Sequence, residues 1–117
     1  MFKRLFVLLL LVAATVSVST PARASTLSIA LYCEQTSGSP TWGNFSCLVY
    51  PSGGTPSYTY QWYEYSGGTG YFLVKQGESF YDSWCQTGAL TRVKVVVTDS
   101  VGAQVESIRS FRCTNPY

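Results

Sequence analysis

The 117-residue chain contains no histidine and one methionine, and only 12% of its residues are charged. Without an imidazole there is no Ser-His or Cys-His nucleophile pair, no histidine general base and no zinc site that needs a ring nitrogen. No serine sits in a Gly-x-Ser-x-Gly elbow or a Ser-x-x-Lys arrangement that Lys75 or Lys94 could serve. Glu64, Glu78 and Asp82 are the carboxylates nearest one another on the central stretch. A glycosidase pair would require two of them about 5 to 9 Å apart, whereas solvated charges that keep sheet edges soluble are the commoner use. No segment has the ligand density of a calcium loop, and Asp99 suits a bond to its own turn backbone better. The chain is therefore read as non-enzymatic, with no cofactor and no metal.

Long hydrophobic runs are scarce too. Lys3 and Arg4 precede an uncharged apolar stretch from Leu5 to Val18, which ends at Pro21 and at the small residues Ala22 and Ala24 flanking Arg23. A membrane span needs about 20 apolar residues, so the stretch reads as a secretory signal peptide over residues 1–24. No cysteine follows the apolar run directly, so no lipid anchor is indicated. Removal of the leader shifts the formal charge from +2 to −1, because residues 25–117 hold five basic and six acidic side chains. The remaining charges are scattered and form no basic stripe, which argues against nucleic acid as a partner.

Export decides how the four cysteines are read. Cys33, Cys47, Cys85 and Cys113 lack C-x-x-C spacing, and an even number in a small exported domain points to two disulfides. Asn44-Phe45-Ser46 matches a glycosylation acceptor, whose use depends on the host.

Helical periodicity is absent from residues 25–117. Leu27, Ile29, Leu31 and Cys33 alternate with Ser28, Ala30 and Tyr32, and Phe45, Cys47 and Val49 alternate with Ser46, Leu48 and Tyr50. The run Tyr58 to Tyr65 sets Trp62 toward a core and Gln61, Tyr63 and Tyr65 on the opposite face. Val93, Val95 and Val97 alternate with Arg92, Lys94 and Val96. After the turn at Asp99 to Gly102, Val105, Ile108 and Phe111 are the expected anchors of a partner strand, with one bulge in the hairpin. Shorter strands are expected at Tyr71 to Val74 and Ser79 to Cys85, giving six or seven in all. Such a series predicts an all-β, two-sheet antiparallel sandwich.

Gly53-Gly54-Thr55-Pro56-Ser57-Tyr58-Thr59-Tyr60-Gln61-Trp62 and Val93-Lys94-Val95-Val96-Val97-Thr98-Asp99-Ser100-Val101-Gly102-Ala103 resemble the B-to-C and F-to-G regions of bacterial immunoglobulin-like modules of the PKD type. The resemblance implies an immunoglobulin-like sandwich over residues 25–117, and modules of this kind serve in binding, adhesion or spacing. It also implies that all four cysteines gather at one pole. Cys33–Cys47 with Cys85–Cys113 is the preferred pairing, each bridge stapling a hairpin, and Cys33–Cys113 with Cys47–Cys85 is the alternative.

Aromatic residues are in excess, at 15%. Tyr63 and Tyr65 are expected to point outward beside Arg92 and Lys94, with Gln61 supplying an amide, which makes these five the candidate ligand face. The same rings suit a cross-strand ladder that only stabilises the sheet. Trp84 is expected to pack against a disulfide, and Trp42 to be a loop plug or an exposed contact. The functional expectation is a secreted or periplasmic recognition module that binds a protein at or outside the cell envelope. One alternative is a carbohydrate-binding module using Tyr63, Tyr65 and Trp42 as a stacking platform. Another is an exported enzyme inhibitor presenting the loop Ser66 to Gly70.

Overall fold

The computed structural model describes residues 26–116, so the leader reading over residues 1–24 lies outside the described residues. Seven strands follow in order: β1 (Ser28–Gly38), β2 (Trp42–Ser52), β3 (Thr59–Ser66), β4 (Gly70–Gln76), β5 (Phe80–Gln86), β6 (Leu90–Thr98) and β7 (Gln104–Arg112). They form two antiparallel sheets, ordered β1-β2-β5 and β4-β3-β6-β7. No helix among the described residues is long and apolar enough to cross a membrane.

Alternation of side chains along each strand places the core between the sheets. Phe45, Cys47 and Val49 of β2 and Val93, Val95 and Val97 of β6 are buried, as is Trp62 of β3. Aromatic contacts cross the layer. Trp62 stacks on Tyr81 of β5 with ring centroids 5.8 Å apart, and Phe45 meets Phe111 of β7 edge-on at 5.1 Å. Burying an indole requires a partner for its N–H. Trp62 Nε1 donates to the Glu78 carbonyl at 2.8 Å, in the connection between β4 and β5.

Both expected disulfide pairs are present, but their placement differs from the expectation. Cys33–Cys47 joins directly opposed residues in the middle of β1 and β2, away from either pole. Cys85–Cys113 does not staple a hairpin: it ties the end of β5, in one sheet, to the residue just after β7, in the other. The turn at Asp99 to Gly102 does lie between Cys85 and Cys113 in sequence, yet β5 pairs with β2 and not with β6 or β7. Bridges of this kind persist in an oxidising, extracytoplasmic environment.

The β6–β7 hairpin carries no bulge, since its register runs unbroken from Leu90↔Arg112 to Thr98↔Gln104. Register shifts occur instead at Gln35/Ser37 between β1 and β2 and at Trp62/Tyr63 between β3 and β4. Alternation along β7 is regular, and the inward positions beside Val105 and Phe111 are simply polar. Ile108 therefore faces outward, opposite Lys94, and is exposed. Arg109 sits opposite Val93 and donates from Nε to the Leu31 carbonyl at 2.8 Å, bridging β7 to β1.

At the opposite end, Asp99 holds two loops together. Its Oδ1 accepts from the Val101 and Ala103 amides at 3.1 and 2.9 Å, and its Oδ2 from the Thr55 amide at 3.0 Å. The carboxyl is buried, and these backbone donors hold it below its ordinary titration range. Gly54 adopts φ +61°, and a Cβ there would lie 2.8 Å from Asp99 Oδ2, so this turn has no room for a side chain.

Candidate functional site

Because Trp62 pairs with Val95 and both face the core, residues one position away on β3 and β6 face solvent. This brings Gln61, Tyr63, Tyr65, Arg92 and Lys94 onto the outer face of β4-β3-β6-β7. Tyr63 lies opposite Lys94, whose Nζ sits 4.7 Å from the centre of the Tyr63 ring. The Arg92 guanidinium sits 4.8 Å from the Tyr65 ring centre, and the Tyr63 hydroxyl donates to Gln61 Oε1 at 3.3 Å.

Three further residues complete the face. Tyr71 of β4 is paired with Tyr65, their ring centroids 5.3 Å apart, and receives Lys94 Nζ at 4.4 Å. Glu106 and Ile108 of β7 border Lys94, with Nζ 4.0 Å from Glu106 Oε2. Lys94 is thus enclosed by two rings and a carboxylate, its side chain only 19% exposed. Counting back from the Ser66 to Gly70 turn sets Tyr71 beside Tyr65, a pairing visible in the sequence once that turn is taken as a hairpin.

Cations on the ring faces decide what this surface can do. A pyranose stacks on a bare aromatic face, whereas Tyr63, Tyr65 and Tyr71 already carry Lys94 or Arg92. The remaining hydroxyls, guanidinium and ring edges are left to make polar and aromatic contacts.

Trp42 is not part of this surface. It belongs to β2 and points outward from the other sheet, where its ring meets Trp84 of β5 edge-on at 4.6 Å. A single platform of Tyr63, Tyr65 and Trp42 therefore does not exist. Nor is Trp84 packed away beside a disulfide: it is 59% exposed, because Cys85 takes the inward position and alternation turns Trp84 out.

The three central carboxylates are dispersed. Glu64 points toward the core beside Tyr81, and burial raises its carboxyl above the ordinary range, an effect the Tyr81 hydroxyl partly offsets. Burial likewise pushes the Tyr81 phenol up to about 12. Glu78 pairs with Lys75 at 3.1 Å, and Asp82 accepts from the Ser46 hydroxyl on the outside of β5. Among the described residues no group of three His, Cys, Asp or Glu side chains could hold a metal ion. At the β3–β4 hairpin tip a Cβ added to Gly67 or Gly68 would enter open space, and Asn44 is exposed on β2 with its amide donating to Ser37 Oγ at 2.8 Å.

The two layers, their strand order and the two bridges define a disulfide-braced antiparallel β-sandwich. No known protein family, curated protein or solved structure matches the chain.

Proposed function

We propose that the protein is an exported, non-catalytic recognition module of the immunoglobulin-like, PKD type that binds a protein at or outside the cell envelope. The observation that carries this reading is the gathering of Tyr63, Tyr65, Tyr71, Arg92 and Lys94 on one outer sheet face. Tyrosine and arginine are the residues that dominate protein interfaces, since they combine large contact area with directional polar groups. The apolar leader and two disulfides support export, and the strand order is compatible with the family resemblance. Adhesion or anchoring of a partner at the envelope are the roles such a module would serve.

The test is affinity capture from a cell-envelope extract of the source organism, using the oxidised protein and a Tyr65→Ala/Arg92→Ala variant that remains folded at the temperature of the assay. A defined partner captured by the wild type, lost by the variant and bound again after purification supports the reading. Equal capture by both proteins would overturn it. The inhibitor reading is favoured by the exposed tip Ser66 to Gly70, and inhibition of a secreted hydrolase that disappears when this tip is shortened would support it instead.

A further inference from the structure

The outer face of β1-β2-β5 carries an unusual concentration of exposed rings. Neighbouring positions across the three strands form successive rungs. Tyr50, opposite Ala30, lies at one end, followed by a rung of Tyr32, Leu48 and Phe80, with the Tyr32 and Tyr50 ring centroids 5.8 Å apart on the diagonal. A polar rung of Glu34, Ser46 and Asp82 crosses the middle, with the Ser46 hydroxyl donating to Asp82. Asn44 and Trp84 follow, and Trp42 closes the series, with Trp42 51% and Trp84 59% exposed. The β1 bulge at Gln35/Ser37 helps shape a depression of about 520 Å³ beside this polar rung, lined by Thr36, Asn44, Ser46, Asp82 and Trp84 among others.

We propose that this face binds a neutral, β-linked polysaccharide. Pyranoses joined through equatorial bonds form a flat ribbon with apolar C–H faces and polar edges. Because Trp42 and Trp84 stand edge-on to each other, one indole offers its flat apolar face to such a ribbon while the other borders it, and the Asp82, Glu34, Asn44 and Ser46 side chains supply donors and acceptors for its hydroxyls. Among the described residues no cation lies over Trp42 or Trp84, in contrast to the tyrosines of the other sheet, whereas Phe80 at the far end of the face carries Lys75 Nζ at 3.8 Å from its ring centre. Charge selects the class of glycan. β1, β2 and β5 contain no lysine or arginine, and Lys75 of β4, which reaches Phe80, is paired with Glu78 at 3.1 Å, so the acidic pair Glu34 and Asp82 would repel an anionic chain. Geometry selects a chain over a single sugar. Trp42 and Tyr50 stand on the same strand about 27 Å apart at the usual rise per residue, so only an extended ligand reaches both ends. This site is separate from the Tyr65/Arg92 face, and its failure would leave the protein-binding reading of that face standing.

The experiment titrates the oxidised protein, expressed from the full chain, with cellobiose, cellohexaose and chitohexaose, following tryptophan fluorescence and calorimetry. A change in indole emission is expected, with either hexasaccharide binding about tenfold or more tightly than the disaccharide. Trp84→Ala and the near-isosteric Asp82→Asn should each weaken binding about tenfold, while Tyr65→Ala/Arg92→Ala binds as the wild type. Because Asp82→Asn leaves every ring in place, it keeps the test decisive should Trp84→Ala fold poorly. Absence of binding by both hexasaccharides, wild-type affinity in Trp84→Ala and Asp82→Asn, or equal binding of an anionic alginate hexamer would overturn the proposal.

Discussion

Cys85 and Cys113, with Cα atoms 5.9 Å apart, form the covalent tie between the two sheets, whereas Cys33 and Cys47 cross-link neighbours that already share a β-ladder. The bridges separate 28 and 14 residues in sequence, so loop closure alone makes Cys85–Cys113 only slightly more stabilising. Chain entropy assigns about 3 kcal/mol to Cys33–Cys47 and about 3.6 kcal/mol to Cys85–Cys113, within a usual range of roughly 2 to 5 kcal/mol. The structural difference should widen the gap, because Cys85–Cys113 also anchors the chain after β7, where the Cys113 amide donates to the Ala89 carbonyl at 3.0 Å. Calorimetry of Cys85→Ala/Cys113→Ala and Cys33→Ala/Cys47→Ala is expected to show the larger loss of melting temperature in the former. The reverse order would mean that the β1–β2 hairpin is the weaker part of the fold.

Gly43 faces this inter-sheet bridge. A Cβ there would lie 2.9 Å from Cys113 Sγ and 2.9 Å from the Ser37 carbonyl oxygen, and the backbone atom cannot yield as a flexible side chain would. Gly43→Ala is expected to cost about 1 to 3 kcal/mol and to slow formation of Cys85–Cys113 during oxidative refolding. Thermal unfolding together with free-thiol counting along a refolding time course checks both effects. Gly67→Ala, where the added Cβ would meet nothing within 4 Å, is the matched control.

The strand faces were legible in the sequence because period-two patterning is local: one buried Trp62 fixes Tyr63 and Tyr65 as outward, and Val93, Val95 and Val97 do the same for Arg92 and Lys94. What the pattern could not carry was pairing between distant strands. Cys85–Cys113 looks like a hairpin staple from its spacing, and only the β2–β5 pairing reveals it as a link between layers. Ile108 misled for a related reason. An apolar residue beside polar Ser107 and Arg109 suggests an anchor and a bulge, yet Arg109 faces inward because the Leu31 carbonyl accepts its Nε–H. Trp42 and Trp84 stand on strands far apart in the sequence, so the face they share with Tyr32 and Tyr50 is visible only in the register of β1, β2 and β5.

Two carboxyls give opposite pH slopes. Backbone donors lower the folded-state Asp99 value below its ordinary 3.8, so its contribution to stability is complete above that pH and is lost as pH falls through the lowered value. Burial raises Glu64 above its ordinary 4.5, so the folded state holds that proton more tightly, and stability declines as pH rises from about 4.5 through the raised value. Glu64→Gln is therefore expected to melt higher than the wild type at pH 7 and to converge with it in acid. Asp99→Asn should melt lower at pH 7, since its amide nitrogen cannot accept from the Thr55 amide, with the difference shrinking as the wild-type carboxyl protonates. Melting temperatures of the three proteins from pH 7 to strong acid resolve the two slopes.

Neighbouring positions on β3 should respond differently to truncation, and that contrast separates binding from stability. Trp62 is fully buried, stacked on Tyr81 and bonded through Nε1, so Trp62→Ala should cost about 3 to 5 kcal/mol and leave much of the protein unfolded. Tyr65 is exposed, and its contacts with Arg92 and Tyr71 are each worth about 0.5 to 1.5 kcal/mol. Lys94 is more enclosed, so Lys94→Ala strips two rings of their cation and should destabilise somewhat more than Arg92→Ala. Tyr65→Ala and Arg92→Ala are expected to lower the melting temperature by no more than about 10 °C each. If instead either approaches the loss seen for Trp62→Ala, the cation–aromatic array is a structural ladder and the binding surface must be sought elsewhere on the sandwich.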